Sequence, residues 1–88
     1  MTDKIRIENK CGLHLRAVAR LVRVANDYDC SISIRSKDRV ASAKSLLNLL
    51  ALAAPKGAEL EIEAEGKDAA QAIRAIQGLA QERFGEAE

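Results

Sequence analysis

The segment Glu59–Glu65 constrains the fold of this chain more than any other feature. Glutamate occupies every odd position of the segment, and Leu60, Ile62 and Ala64 occupy the even ones. This strict alternation is typical of a strand with one buried and one solvent-facing side. Because only one face of the resulting sheet is apolar, the helices must cover that face alone, which predicts an α+β sandwich.

The same periodicities predict the remaining elements. Further strand patterns cover Lys4–Glu8, Cys30–Arg35 and Arg39–Ser42, and a short helix is predicted from Leu46 to about Ala53. Two longer amphipathic helices have apolar residues at helical spacing. The predicted buried positions are Val18, Leu21, Val22 and Ala25 in the first, and Ala69, Ala72, Ile73, Ile76, Leu79 and Ala80 in the last.

The first helix is expected to run from about Leu15 to Asn26, and Gly66–Asp68 is expected to cap the last one. The resulting order is βαββαβα. It predicts a four-stranded antiparallel sheet covered on one face by three helices, an open-faced sandwich forming one domain over residues 1–88. The last four residues, Gly85–Glu88, are expected to fray.

Composition excludes several classes of function. The 88 residues carry 14 Lys and Arg against 13 Asp and Glu, so net charge predicts no strong attraction to nucleic acid or to a membrane. Tyr28 and Phe84 are the only aromatic residues, too few for a base-stacking platform. The longest apolar stretch, Leu46–Pro55, is too short to span a bilayer. Without a signal segment, and with Cys11 and Cys30 too few for a disulfide scaffold, the chain is expected to be cytoplasmic.

The only histidine, His14, lies in Gly12–Arg16 (Gly-Leu-His-Leu-Arg), between a turn-forming stretch and the first predicted helix. A helix N-terminus carries unpaired N–H groups and the positive end of the helix dipole, which favour an anion. A nucleophilic ring nitrogen in such a site indicates that the imidazole carries a phosphoryl group. Arg16 can form charge-assisted hydrogen bonds to phosphate oxygens. A surface histidine that only caps the helix is the simpler alternative.

Cys11 and His14 also allow two other interpretations. As Cys-x-x-His they form half of a zinc site, but the sequence offers no second pair of ligands. As a Cys–His nucleophile pair they would indicate a thiol enzyme, although no orienting residue or oxyanion pocket is evident. The sequence therefore predicts neither a metal nor another cofactor.

The sequence also predicts a docking surface around this site. Arg20 and Arg23 share a helix flank with Arg16 and would form an electropositive rim for acidic partner proteins, although such charged stripes are often only solvated. The second helix has leucine on nearly every side. A single face of the sheet cannot bury all of these leucines. We therefore expect Leu46, Leu47 and Leu50 to form an exposed patch for docking or for self-association. Ser45 is predicted to cap this helix.

Three motifs together resemble the signatures of the HPr family, the histidine-containing phosphocarrier proteins of the phosphoenolpyruvate-dependent phosphotransferase system. They are Gly12–Arg16, Ala41–Ser45 (Ala-Ser-Ala-Lys-Ser) and Ala64–Asp68 (Ala-Glu-Gly-Lys-Asp). The resemblance runs from Lys4 to about Phe84 with the same element order. Gly-Leu-His-x-Arg alone is a weak pattern, but the three motifs at these separations are specific.

The resemblance implies that His14 accepts phosphate on Nδ1 from phosphorylated enzyme I and passes it to an enzyme IIA-type acceptor. Arg16 matches the family's active-site arginine, and Ser45 matches the serine that a dedicated kinase phosphorylates in some bacteria. One position departs, because Ala17 stands where the family usually has proline, which presets φ in the first helical turn. Alanine is expected to loosen the helix start without abolishing the site, and Leu15 is bulkier than the usual alanine.

This interpretation makes the chain a phosphocarrier, a substrate of enzymes more than an enzyme, and expected to be a monomer. Two alternatives stay open from sequence. One is a regulatory HPr-like protein that signals through phosphorylation-dependent binding without sugar transport. The other is a protein-interaction module that is not phosphorylated, with the leucine patch pairing with a partner or with itself.

Overall fold

The computed structural model describes all residues from Met1 to Glu88. In chain order its elements are β1 (Thr2–Arg6), α1 (Leu15–Ala25), β2 (Ser31–Ser36), β3 (Arg39–Ser42), α2 (Leu46–Leu52), β4 (Glu59–Glu65) and α3 (Ala69–Gln81), followed by a 3-10 turn at Arg83–Gly85. The predicted order βαββαβα is confirmed, and no element boundary differs from its predicted position by more than two residues.

The four strands form one antiparallel sheet in the order β1-β4-β2-β3. β4 lies between β1 and β2, with Leu60 opposite Ile5 and Ile62 opposite Ile34, so that apolar residues meet on one face. The predicted alternation of β4 is confirmed, because its even positions are buried and its glutamates are exposed. The sheet therefore presents one apolar face, and the helices pack on it.

The helices bury the predicted apolar stripes with small differences. Val18, Leu21 and Ala25 of α1 are buried as expected, whereas Val22 is only partly buried and Ala17 takes part in the core instead. In α3 the five predicted residues other than Leu79 are buried, and Leu79 packs at the edge. None of the helices has both the length and the apolar character that crossing a membrane requires.

The start of α3 and the last residues of the chain differ from the sequence-based expectation. Asp68 stands at the N-cap position of α3, but its Oδ2 accepts a hydrogen bond from the Asp29 N–H at 2.8 Å instead of capping the helix. Of the last four residues, Glu86 folds back against Asn9 and His14, whereas Ala87 and Glu88 are exposed. Phe84 is fully buried in the core, and Glu86 contacts residues of the loop between β1 and α1.

Candidate functional site

The loop between β1 and α1 is held in a single shape by short-range and long-range hydrogen bonds. Gly12 adopts a left-handed φ of +67°, and its N–H donates to the Asn9 carbonyl at 3.1 Å. The next N–H, that of Leu13, donates to the Ala54 carbonyl at 2.9 Å, which joins the loop to the segment after α2. Leu13 itself is buried, so the residue that follows it emerges at the surface in a defined position.

His14 is the N-cap residue of α1, with extended backbone angles (φ −86°, ψ 178°) and its carbonyl bonded to the Val18 N–H at 2.9 Å. Its Nδ1 accepts a weak hydrogen bond from the Arg16 N–H at 3.4 Å. The imidazole thus presents Nδ1 to the first-turn amides of α1, which have no carbonyl partners within the helix. The side chain is 32% exposed, and Nδ1 lies at the N-terminus of the helix, a position that favours an anion.

The other ring nitrogen of His14, Nε2, is hydrogen bonded to Oε2 of Glu86. The second carboxylate oxygen, Oε1, accepts from Nδ2 of the buried Asn9 at 2.9 Å, and the same Nδ2 donates to the Gly12 carbonyl at 2.7 Å. Desolvation opposes ionisation of Glu86, but the hydrogen bonds from Asn9 and His14 and the electrostatic attraction of the His14 ring and the Arg16 guanidinium outweigh it. The pKa of Glu86 is therefore lowered from its usual value, and the group is a carboxylate at neutral pH.

The three arginines of α1 occupy different environments. Arg16 is exposed and makes no side-chain hydrogen bond, which leaves its guanidinium available beside His14. Arg20 is half-buried and donates from Nη1 to the Phe84 carbonyl, so it also fixes the end of the chain. Arg23 lies exposed in the last turn of the helix. Arg16, Arg20 and Glu86 line one shared depression at the surface.

Helix α2 packs beside α1 and carries the predicted leucine patch. Ser45 is its N-cap, as predicted, with Oγ accepting from the Asn48 N–H at 3.3 Å. Leu47 is 76% exposed and Leu46 is 36% exposed, whereas Leu50 is half-buried against the core. The exposed part of the patch is therefore centred on the first turn of α2.

The structure places no further zinc ligands near Cys11 and His14, the half zinc site considered from sequence. Cys11 is an exposed free thiol and Cys30 is a separate one. No group of three or more His, Cys, Asp or Glu side chains is arranged to hold a metal ion. Cys11 and His14 therefore lack the further ligands that a zinc site requires.

Sequence patterns did not single out two residues of this site, Asn9 and Glu86. Asn9 is fully buried, with its Oδ1 unpaired, and in the sequence it is the first residue of the turn-forming stretch Asn9–Gly12. Glu86 lies 72 positions after His14 in a segment without periodicity. A polar residue inside the turn was the one available signal, and nothing local pointed to the glutamate.

Comparisons with known proteins agree with this geometry. A family model described as "PTS HPr component phosphorylation site" matches residues 1–82. The chain belongs to the HPr family. The phosphocarrier protein HPr of Neisseria meningitidis serogroup A is 36% identical over 88 residues, covering all of this chain and 99% of that protein. The predicted membership in the HPr family is thus confirmed.

Two solved HPr structures extend the agreement to three dimensions. HPr-C-His from Thermoanaerobacter tengcongensis superposes with a TM-score of 0.95 at 32% identity, covering all of this chain and 99% of the other. A structure described as an HPr dimer from the same organism gives 0.79 at 34% identity, covering 93% and 94%. The predicted fold is confirmed, and the chain has the phosphocarrier role of HPr in the phosphotransferase system.

Proposed function

We propose that His14 accepts a phosphoryl group from phosphorylated enzyme I and passes it to an enzyme IIA-type acceptor. The observation that carries this proposal is the orientation of the only imidazole, whose Nδ1 faces the Arg16 N–H at the start of α1. Incoming phosphate oxygens would meet unpaired amides and the positive end of the helix dipole. The chain supplies the nucleophile and acts as a substrate of the transfer enzymes, not as a catalyst.

Arg16 supports the transferred group. Its guanidinium is exposed, unpaired and two residues from His14, so it can turn toward phosphate oxygens and form charge-assisted hydrogen bonds. The site is open to solvent on this side, which allows the next protein to approach the phosphate. A carrier needs such accessibility, because it must release the group as readily as it accepts it.

The docking surface consists of Arg16, Arg20, Arg23, Leu46, Leu47 and Leu50. The arginines provide positive charge that favours an acidic partner surface, and the first turn of α2 provides exposed apolar side chains. Arg20 also donates a hydrogen bond to the Phe84 carbonyl, so its guanidinium has fewer free N–H groups for a partner. Leu47, the most exposed of the leucines, is the member best placed to enter a partner's pocket.

Replacing Leu47 with Asp is expected to raise the KM for phosphorylation by enzyme I about tenfold, because a charge would have to be buried in the interface. The matched control is Val40→Asp on β3, where a residue of similar exposure (55%) lies on a different element. Steady-state phosphorylation assays measure both. An equal effect of the two variants would argue against a specific patch on α2.

Ser45 is proposed as a regulatory phosphorylation site for a serine kinase and phosphorylase. Its hydroxyl caps α2 directly beside the exposed leucines. A phosphate would add roughly −1.5 to −2 charges at the helix N-terminus, which tolerates them, and would make the neighbouring apolar surface unfavourable for acidic partners. Phosphopeptide mapping of protein from its native cells checks this, and finding Ser45 only unmodified across growth conditions would count against it.

The proposal places the chain in the cytoplasm as one HPr-like domain that works as a monomer. The apolar patch could also support self-association, and a relative is described as an HPr dimer. The regulatory alternative, signalling by phosphorylation-dependent binding without sugar transport, uses the same His14 chemistry. It differs in that the phosphorylation state controls binding to a partner, so a binding assay with phosphorylated and unphosphorylated protein, beside the acceptor assay, distinguishes the two.

The first experiment is incubation of the protein with enzyme I and labelled phosphoenolpyruvate. Label that is acid-labile and base-stable is expected on the chain, as for a phosphoryl group on a ring nitrogen. Adding an enzyme IIA-type protein should then discharge it. A chain that takes no label while a control carrier is labelled in the same mixture would refute the proposed donor, and the interaction-module alternative would then be favoured.

A further inference from the structure

The two ring nitrogens of His14 have different kinds of partner. Nδ1 faces a backbone N–H, which can only donate, so Nδ1 must offer its lone pair there. Nε2 faces Oε2 of Glu86, a carboxylate that can only accept, so Nε2 must carry the proton. The hydrogen bond at one nitrogen sets the tautomer at the other. The Nδ1 lone pair therefore points toward the N-terminus of α1, where an anion would bind.

Glu86 is held at the ring by several independent contacts. Phe84 is fully buried and anchors the segment in the core, and Arg20 donates to its carbonyl. Asn9 donates to Oε1 of Glu86 at 2.9 Å, so both carboxylate oxygens are used. The side chain of Glu86 is only 15% exposed. These contacts fix the carboxylate in place, in contrast to Glu88, which is exposed and pairs loosely with Lys10 at 3.7 Å.

We propose that Glu86 is a positioning residue that keeps the proton on Nε2 and stabilises the imidazolium formed when Nδ1 takes a phosphoryl group. The proposal rests on the proposed function, because it assigns the role of a second residue in the same transfer. The carboxylate contacts the ring on the side away from the proposed phosphate position. It can therefore stay in place throughout the reaction.

The transfer step is balanced without any further reactant. The Nδ1 lone pair forms the new nitrogen–phosphorus bond, and the bond between phosphorus and the donor's leaving atom breaks, with its electron pair going to the donor. The ring keeps its Nε2 proton and becomes an imidazolium that carries the phosphoryl group. Glu86 faces this positive charge directly, as the buried aspartate does for the histidine of a Ser-His-Asp triad.

The isosteric variant Glu86→Gln tests this role sharply. A carboxylate accepts from both Asn9 Nδ2 and His14 Nε2, but an amide has one accepting oxygen and one donating nitrogen, so it can satisfy only one of them. The control is Glu88→Gln, which makes the same charge change two residues further on at an exposed position. Backbone amide spectra that match the wild type away from residue 86 would show that both variants retain the fold.

The first readout is the ¹⁵N spectrum of the His14 ring above neutral pH. The wild-type protein and Glu88→Gln are expected to show a protonated Nε2 with a downfield hydrogen-bonded proton and an unprotonated Nδ1. In Glu86→Gln that proton signal should weaken and move upfield, and the two nitrogen shifts should move toward averaged values, because the amide has one uncharged accepting oxygen for which Asn9 and His14 compete. A wild-type ring protonated on Nδ1, or an unchanged spectrum in Glu86→Gln, would overturn the proposal.

The second readout is phosphorylation by phosphoramidate, a small donor that transfers its phosphoryl group and releases ammonia without any partner protein. The rate is expected to fall about tenfold in Glu86→Gln and to stay unchanged in Glu88→Gln. A faster rate in Glu86→Gln would instead mean that the residue shields the ring. Failure of enzyme I to label the wild type, with both of these readouts as expected, would refute the proposed donor while leaving the role of Glu86 intact.

Discussion

Replacing His14 with Asn is expected to lower phosphoryl acceptance from enzyme I by about a thousandfold or more while leaving the fold intact. His14 is the only histidine of the chain, so no second imidazole can take over. Asparagine is a favoured N-cap residue, and its side chain can still accept the Arg16 N–H hydrogen bond that Nδ1 accepts now. The variant therefore removes the nucleophile but keeps the cap.

Comparison with His14→Ala separates these two functions of the residue. Alanine removes the cap as well, which costs about 1 kcal/mol of unfolding free energy. We expect both variants to be unlabelled by phosphoenolpyruvate and enzyme I. Both lose the contact with Glu86, but only alanine also loses the cap, so the alanine variant should unfold earlier in urea than the asparagine variant. Acid-labile label that persists on His14→Asn would show that another residue carries the phosphate.

The elements of this fold could be predicted from sequence because their signals are local. The alternation in Glu59–Glu65 determines which side of the sheet is apolar, and the helical spacing in α1 and α3 determines which side they bury. Ser45 precedes a leucine-rich run and could be identified as a cap from that position alone. Each of these features depends on residues only a few positions apart in the sequence. Hydrophobic periodicity reports on such short separations.

The contacts around His14 could not be predicted in the same way. The Glu86 carboxylate contacts a ring that lies 72 positions earlier in the sequence. Its placement depends on the burial of Phe84 in the core and on the hydrogen bond from Arg20 to the Phe84 carbonyl. The last residues were expected to fray because such segments usually do, and their sequence shows no pattern. Leu50 was expected to be exposed with its neighbours, but it lies next to the buried Leu49 and is partly buried against the core.

Gly12 is the position where a single methyl group is expected to damage the fold most. A Cβ at this residue would lie 2.4 Å from the Ala54 carbonyl oxygen and 3.0 Å from the Cα of Pro55, both backbone atoms. The left-handed φ of +67° adds strain for any residue with a Cβ. Strain and overpacking together predict that Gly12→Ala lowers the free energy of unfolding by about 2–5 kcal/mol.

Substitutions at two other glycines, measured by urea unfolding, separate backbone strain from steric overlap as causes of that loss. Gly57 has a φ of +90° with nothing within 4 Å of its Cβ position, so Gly57→Ala reports the strain alone and should cost about 1 kcal/mol. Gly78 lies within α3, also in open space, and Gly78→Ala should stabilise the protein by about 1 kcal/mol. If Gly12→Ala were no less stable than Gly57→Ala, the close approach to Ala54 would not exist in solution.

The same substitution also connects stability to the site. The Ala54 carbonyl that the new methyl group would displace is the acceptor for the Leu13 N–H, and Leu13 immediately precedes His14. Even where Gly12→Ala is folded, at low temperature and without denaturant, losing this hydrogen bond should shift His14 relative to the first turn of α1. We therefore expect its rate of phosphorylation by enzyme I to fall about tenfold, while Gly57→Ala keeps the wild-type rate. Equal rates in the two folded variants would mean that the Leu13–Ala54 hydrogen bond does not position the histidine.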